Sequence, residues 1–169
     1  MRVIGAMAAT MLAIGMALPA IAQTMPERCA LPHELAGWSQ RHAVAAAGHF
    51  GGNPVPLLSV GEAVDLALVP LDRLAPVVPL GKAPGPDDKG GLVTFRAALS
   101  GTYRIALGGH GWIDVAKGQT PLASIAHSPG PQCAGIAKTV DFQLAAGTYI
   151  LQISAVEGDS IPVMIARLP

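Results

Sequence analysis

The second half of the chain alternates. From Thr102 to Leu107, Tyr103, Ile105 and Leu107 fall on one face of an extended segment. Period-two patterns mark further strands at Leu92–Ala97, Trp112–Ala116, Thr139–Leu144, Thr148–Ile153 and Ile161–Arg167. Successive side chains of a strand point to opposite faces, so alternation reads as half-buried strand. Gly108–Gly111 and Glu157-Gly158-Asp159 read as turns between them. Lys117-Gly118-Gln119 is a tight turn, and Leu122–Ala126 after it is the expected hairpin partner of Trp112–Ala116. Earlier, Val64, Leu66 and Leu68 share a parity within Val60–Val69, which predicts a strand ended by Pro70. Short strands between Gly/Pro turns predict a mainly β fold, a β-sandwich or jelly-roll-like domain.

The N-terminal part follows another pattern. Pro32 suits a first helical position, and His33–Ala47 is rich in Ala, Leu, Glu, Gln and Arg. Leu35, Trp38 and His42 fall near one face, and Gly48 is a natural stop, so one short N-terminal helix is expected, with Gly37 its weak point. Gly51-Gly52-Asn53-Pro54 signals a loop. Leu71–Gly91 is too Pro-rich for a central strand and reads as loop, as does Ser128–Gly135. The expected organisation is a leader over 1–22, an N-terminal arm and helix over 23–58, and a β-sandwich domain over 59–169.

An internal echo refines this. Phe95 precedes Ser100-Gly101-Thr102-Tyr103, and Phe142 precedes Ala146-Gly147-Thr148-Tyr149. Each unit is a strand, a turn that uses glycine's access to positive φ, and a strand opening with an inward Tyr. Two such units predict two similar corners of one sandwich.

The first residues bear on location. Met1-Arg2 is a positive start, Val3–Leu18 is an apolar run, and Ala20-Ile21-Ala22 offers small residues for cleavage. This is the pattern of a signal peptide, and the run of about 16 residues is short for a membrane span of roughly 20. A periplasmic or secreted protein is expected, with no membrane span after cleavage. The chain has 11 basic and 11 acidic residues, a balance that gives no footprint for nucleic acid or for an anionic lipid surface. The two cysteines, Cys29 and Cys133, both follow the leader, and export with an even count favours a disulfide. It would close a loop of about 100 residues, worth up to roughly 4–5 kcal/mol in the chain-entropy model. The alternative is a thiolate that binds metal.

Candidate chemistry is sparse. In Trp112-Ile113-Asp114-Val115 the apolar pair is the better core candidate, which leaves Trp112 and Asp114 outward. An outward Trp beside a carboxylate can stack on a sugar ring or planar ligand. It can equally cover a sheet edge or pack under the N-terminal helix. His110 and His127 lie at the two ends of the expected hairpin and so are expected to approach. Together they would form a two-histidine site for copper or zinc with Asp114 adding oxygen, or else be solvated or hydrogen-bonded histidines. No HxH, HxxxH or HExxH spacing occurs, no G-x-S-x-G is present, and Gly108–Gly111 is not followed by the Lys-Ser/Thr of a phosphate loop. His33, His42 and His49 complete the histidines.

Gly101–Leu107, Trp112–Val115, His127–Cys133, Lys138 and Phe142–Gln152 together resemble a family of small secreted bacterial proteins whose activity is not established. Some members carry the label homogentisate 1,2-dioxygenase. That label implies non-haem Fe(II) held by two histidines and a carboxylate, in a much larger cupin chain. No such spaced triad occurs here, and Pro129 stands where the family pattern often has a second histidine, two positions after His127. More distantly, Phe142–Ile153 is similar to the pre-peptidase C-terminal type of β-sandwich, which implies a non-catalytic binding or accessory role. The expectation is therefore an exported, non-catalytic sandwich without a cofactor, binding a small ligand or an envelope protein through Trp112, Asp114, His110 and His127. The alternatives are a metal-dependent oxidoreductase and a purely structural envelope protein.

Overall fold

The computed structural model describes residues 29–51 and 54–169; the expected leader and the Gly52-Asn53 part of the first loop signal lie outside the described residues. Twelve strands occur among the described residues: β1 (Arg41–Ala45), β2 (Leu57–Leu58), β3 (Ala63–Ala67), β4 (Val69–Pro70), β5 (Lys89–Ala97), β6 (Gly101–Leu107), β7 (Trp112–Lys117), β8 (Thr120–Leu122), β9 (Ala126–Pro129), β10 (Lys138–Leu144), β11 (Gly147–Val156) and β12 (Ser160–Arg167). They form two mixed sheets. The first runs β1-β3-β12-β6-β10-β9; the second runs β2-β5-β11-β7-β8, with β4 added on β5. The fold is mainly β and a sandwich, as the alternation predicts.

The apolar parity of each strand meets the other sheet. Val64, Leu66, Ile105, Leu107, Phe142 and Val163 from the first sheet share one core with Val93, Phe95, Ile113, Val115, Leu151 and Ile153 from the second. Each large side chain fully buried in this way contributes roughly 1.5–3 kcal/mol relative to exposure.

The two echoed units are the corners of the sandwich. β5 lies in the second sheet and β6 in the first; β10 lies in the first and β11 in the second. The units pair antiparallel with each other, with Tyr149 opposite Phe95 and Phe142 opposite Tyr103. Gly101 and Gly147 both have positive φ, at 154° and 157°. Each Tyr is buried and its hydroxyl donates to the carbonyl four residues back: Tyr103 to Leu99 and Tyr149 to Ala145, both at 2.8 Å. The phenol thus satisfies its one polar group by tying down the corner it opens.

The N-terminal segment differs from the expected helix over 33–47. Only His33–Ser39 is helical, and it is a 3-10 helix; Arg41–Ala45 is a strand paired in parallel with β3. The helix propensities of Ala and Arg are worth only fractions of about 1 kcal/mol per residue. Here they lose to a ladder of backbone hydrogen bonds and to Val44, which packs against the sandwich core. The 3-10 turn lies on the outer face of the first sheet, where Ala63, Ala106 and Ala166 leave room for the buried Leu35 and Trp38. Gly37 touches the sheet so closely that a Cβ there would sit 2.6 Å from the Gly61 carbonyl oxygen. The residue that weakened the helix in the sequence is the one that lets it dock.

Polar groups and sulfur fasten this segment. Trp38 Nε1 donates to the Ala134 carbonyl at 2.9 Å. Cys29 and Cys133 form a disulfide with Cα atoms 5.7 Å apart, which rules out a thiolate metal ligand and ties the arm to the loop after β9. Arg104 donates twice to Asp141, at 2.8 and 2.9 Å, and once to Glu34 of the 3-10 helix at 3.1 Å. The Asp141 hydrogen bond raises the Arg104 pKa above its ordinary value, against the opposing effect of burial.

The expected Leu71–Gly91 loop is a 3-10 turn at Leu71–Arg73 and then irregular chain until β5 begins at Lys89. It crosses the outer face of the second sheet. Buried Gln152 on β11 holds it there: Oε1 accepts from Val77 N at 2.9 Å, and Nε2 donates to the Val78 carbonyl at 3.0 Å.

Candidate functional site

At the far end of the strands from the corners, the sandwich edge stays open between β7 and the β9–β10 pair. A cleft of about 540 Å³ lies there. Its lining includes His110 from the Gly108–Gly111 turn, Trp112 and Ile113 from β7, His127 from β9, and Lys138 and Val140 from β10. Three of the four residues singled out in the sequence therefore line one cleft.

The alternation of β7 works out as expected. Ile113 and Val115 are buried in the core, while Trp112 is 37 % exposed. Asp114 shares the Trp112 face but does not line the cleft. Its carboxylate accepts from Trp112 Nε1 at 3.0 Å, from Gly81 N at 3.3 Å and from Gln152 Nε2 at 3.3 Å. It is a brace that fixes the indole and holds the crossing loop, and its acceptor capacity is used within the protein.

His127 reaches the cleft by a route the sequence pattern did not indicate. The hairpin expected over Trp112–Ala126 stops at Leu122, because β8 is only Thr120–Leu122. Pro121 has no N–H to give the ladder, which suits a short edge strand. The chain then crosses to the other sheet, where Ile125 N donates to the Asp141 carbonyl and His127 sits opposite Val140 on β10. His110, in the turn between β6 and β7, and His127, on β9, thus line one cleft without being two ends of one hairpin. Ser128 and Pro129, expected as loop, belong to β9.

Lys138 had no role assigned from sequence. It opens β10 opposite Leu107, at the cleft end of the first sheet. Its ammonium donates to the Gly111 carbonyl and stands 5.7 Å from the centre of the Trp112 ring, within cation–π range. Burial, and then the nearby Lys82 charge, lower its pKa below the ordinary 10.5. A single Lys at the start of a strand carries no signal of this; its neighbours come from the turn before β7 and from β7 itself.

The iron site implied by the dioxygenase label does not fit these residues. Among the described residues, no three His, Cys, Asp or Glu side chains come together as a metal set. His42 lies on β1, at the opposite edge of the first sheet from β9, and His49 lines a separate hollow near Val69. Asp114, the third donor the sequence offered to His110 and His127, is engaged by Trp112, Gly81 and Gln152 instead.

No helix among the described residues is long and apolar enough to cross a membrane. Compared with known proteins, the chain matches no family model and no curated protein.

Proposed function

We propose that the protein is exported to the periplasm or beyond and acts there as a non-catalytic β-sandwich, binding a small ligand or partner in the cleft beside Trp112. The observation that carries this reading is that His110, Trp112 and His127, contributed by different segments and both sheets, line one cleft. The leader pattern and the Cys29–Cys133 disulfide support export, since disulfides persist in oxidising compartments. A braced aromatic wall beside a few polar groups is what ligand binding asks for. Nucleophilic catalysis would need a base oriented by a third group, and the carboxylate closest in sequence, Asp114, is turned to other partners.

The test is a small-molecule screen by NMR on isotope-labelled protein. Binders that shift the His110, Trp112 and His127 signals, and are lost in Trp112→Ala and His127→Ala, are the expected result. Binders that map elsewhere or ignore both substitutions would remove this site. Stoichiometric iron or copper in protein isolated from its native compartment would favour the metal-dependent oxidoreductase instead. A stable complex with an envelope protein, and no small ligand, would favour a structural role.

A further inference from the structure

We propose that the ligand of this cleft is a small organic anion with an apolar body; the inference rests on the cleft being a binding site. The charges on its lining are of one kind. Lys138 is an ammonium, and no Asp or Glu lines the cleft among the described residues. Lys82 adds a further positive charge close to Lys138.

Glu157 shares a neighbouring hollow with His110 but does not line the cleft, and the two carboxylates on the strands beside the cleft are engaged. Asp114 accepts from Trp112, Gly81 and Gln152. Asp141 accepts both parallel bonds of Arg104. Lys138 is therefore a half-buried ammonium whose partners among the described residues are one carbonyl oxygen and one ring face. An ammonium has three donors, so hydrogen-bonding capacity is left toward the cleft.

Burial without a counter-charge disfavours the charged form, and a bound anion would relieve that while forming a charge-assisted hydrogen bond. A cationic ligand would meet repulsion. The remaining wall, with Ile113, Pro129, Ala137 and Val140, offers apolar surface for the rest of the molecule. The cleft is a concave, half-open hollow of about 540 Å³ between two sheets, of a size that suits a single small molecule.

Three probes of one shape separate the possibilities: octanoate, octanamide and octylamine, titrated into wild type and Lys138→Met by NMR and calorimetry. Octanoate is expected to bind at the cleft, octanamide about tenfold more weakly, and octylamine not at all. Lys138→Met is expected to weaken octanoate by about tenfold and leave octanamide unchanged, while Lys138→Arg retains octanoate binding. Thermal unfolding of each variant checks that the fold persists. If octanamide binds the cleft as well as octanoate, the anion claim fails while the binding site stands. If neither shifts a cleft signal, both fail. Sedimentation with phosphatidylglycerol vesicles, in place of octanoate binding, would overturn the claim of a free ligand.

Discussion

The corner end of the sandwich and its cleft end are built from the same strands but satisfy their polar groups differently. At the corners, two repeated units pair with each other. Phe95 stacks on Tyr149 at 5.7 Å, and each Tyr hydroxyl closes on a carbonyl of its own turn. The two tyrosine hydroxyls are satisfied by carbonyls four residues away, and Ser100 then links the corners by accepting from Ala146 N and from Arg167. At the cleft end no repeated unit closes on itself: Lys138 reaches Gly111, and Asp114, which braces its near neighbour Trp112, also accepts from Gln152 on β11. The edges there stay apart, and among the described residues no carboxylate lines the cleft beside the half-buried ammonium. One end ties the two sheets together; in the proposed reading, the other leaves donors open to a ligand.

The largest test of this contrast is truncation at each end. Phe95→Ala should cost about 3–5 kcal/mol in denaturant unfolding, because it empties a fully buried ring position shared by both corners. Trp112→Ala should cost clearly less, since its ring is partly exposed, yet abolish binding in the cleft. Equal losses of stability would break the comparison.

Replacing both Cys29 and Cys133 by Ser comes next. It should lower stability by about 2–5 kcal/mol, and the effect should vanish when wild type is measured in reductant. Because Gln132 lines the cleft and is adjacent to the bridge, the same variant should also shift cleft signals in NMR while leaving the corner tyrosines in place.

Removing one hydroxyl at a time sharpens the symmetry of the corners. Tyr103→Phe and Tyr149→Phe should each cost about 1 kcal/mol, and by similar amounts, since each deletes one hydrogen bond of the same geometry. A marked inequality in thermal unfolding would show that the two units are alike in sequence only.

The smallest expected effect belongs to Lys138. Burial lowers its pKa in the folded chain, so the unfolded chain keeps its proton to higher pH. Stability should therefore rise with pH from the lowered folded value up to the ordinary 10.5, the cost of holding the ammonium being constant below that window. Relative to Lys138→Met, wild type should gain stability across the alkaline range; parallel curves would argue that the ammonium is well solvated.

Much of the corner end was legible because its information is local. The Gly-Thr-Tyr turns, the inward tyrosines and the alternation of β6 and β11 need only near neighbours to be read. The cleft end was legible in part. Parity sent Trp112 and Asp114 to the same face, but it could not tell a lining residue from a brace, because the partners of Asp114 lie at Gly81 and Gln152. The approach of His110 and His127 was expected through a hairpin that ends too soon; both line the cleft, and β9, on the other sheet, is what carries His127 there.

By itself, the sequence determined the period of the strands, the apolar faces, the corner glycines and the availability of two cysteines, since all of these are properties of short stretches or of counts. Tertiary structure alone decided that an Ala-rich segment would be the edge strand β1 and that Lys138 would sit over Trp112. It also decided which of two outward side chains on β7 would face open space. The physical reason is the same in each case: weak local preferences yield to hydrogen bonds and burial supplied by residues some twenty to forty positions away.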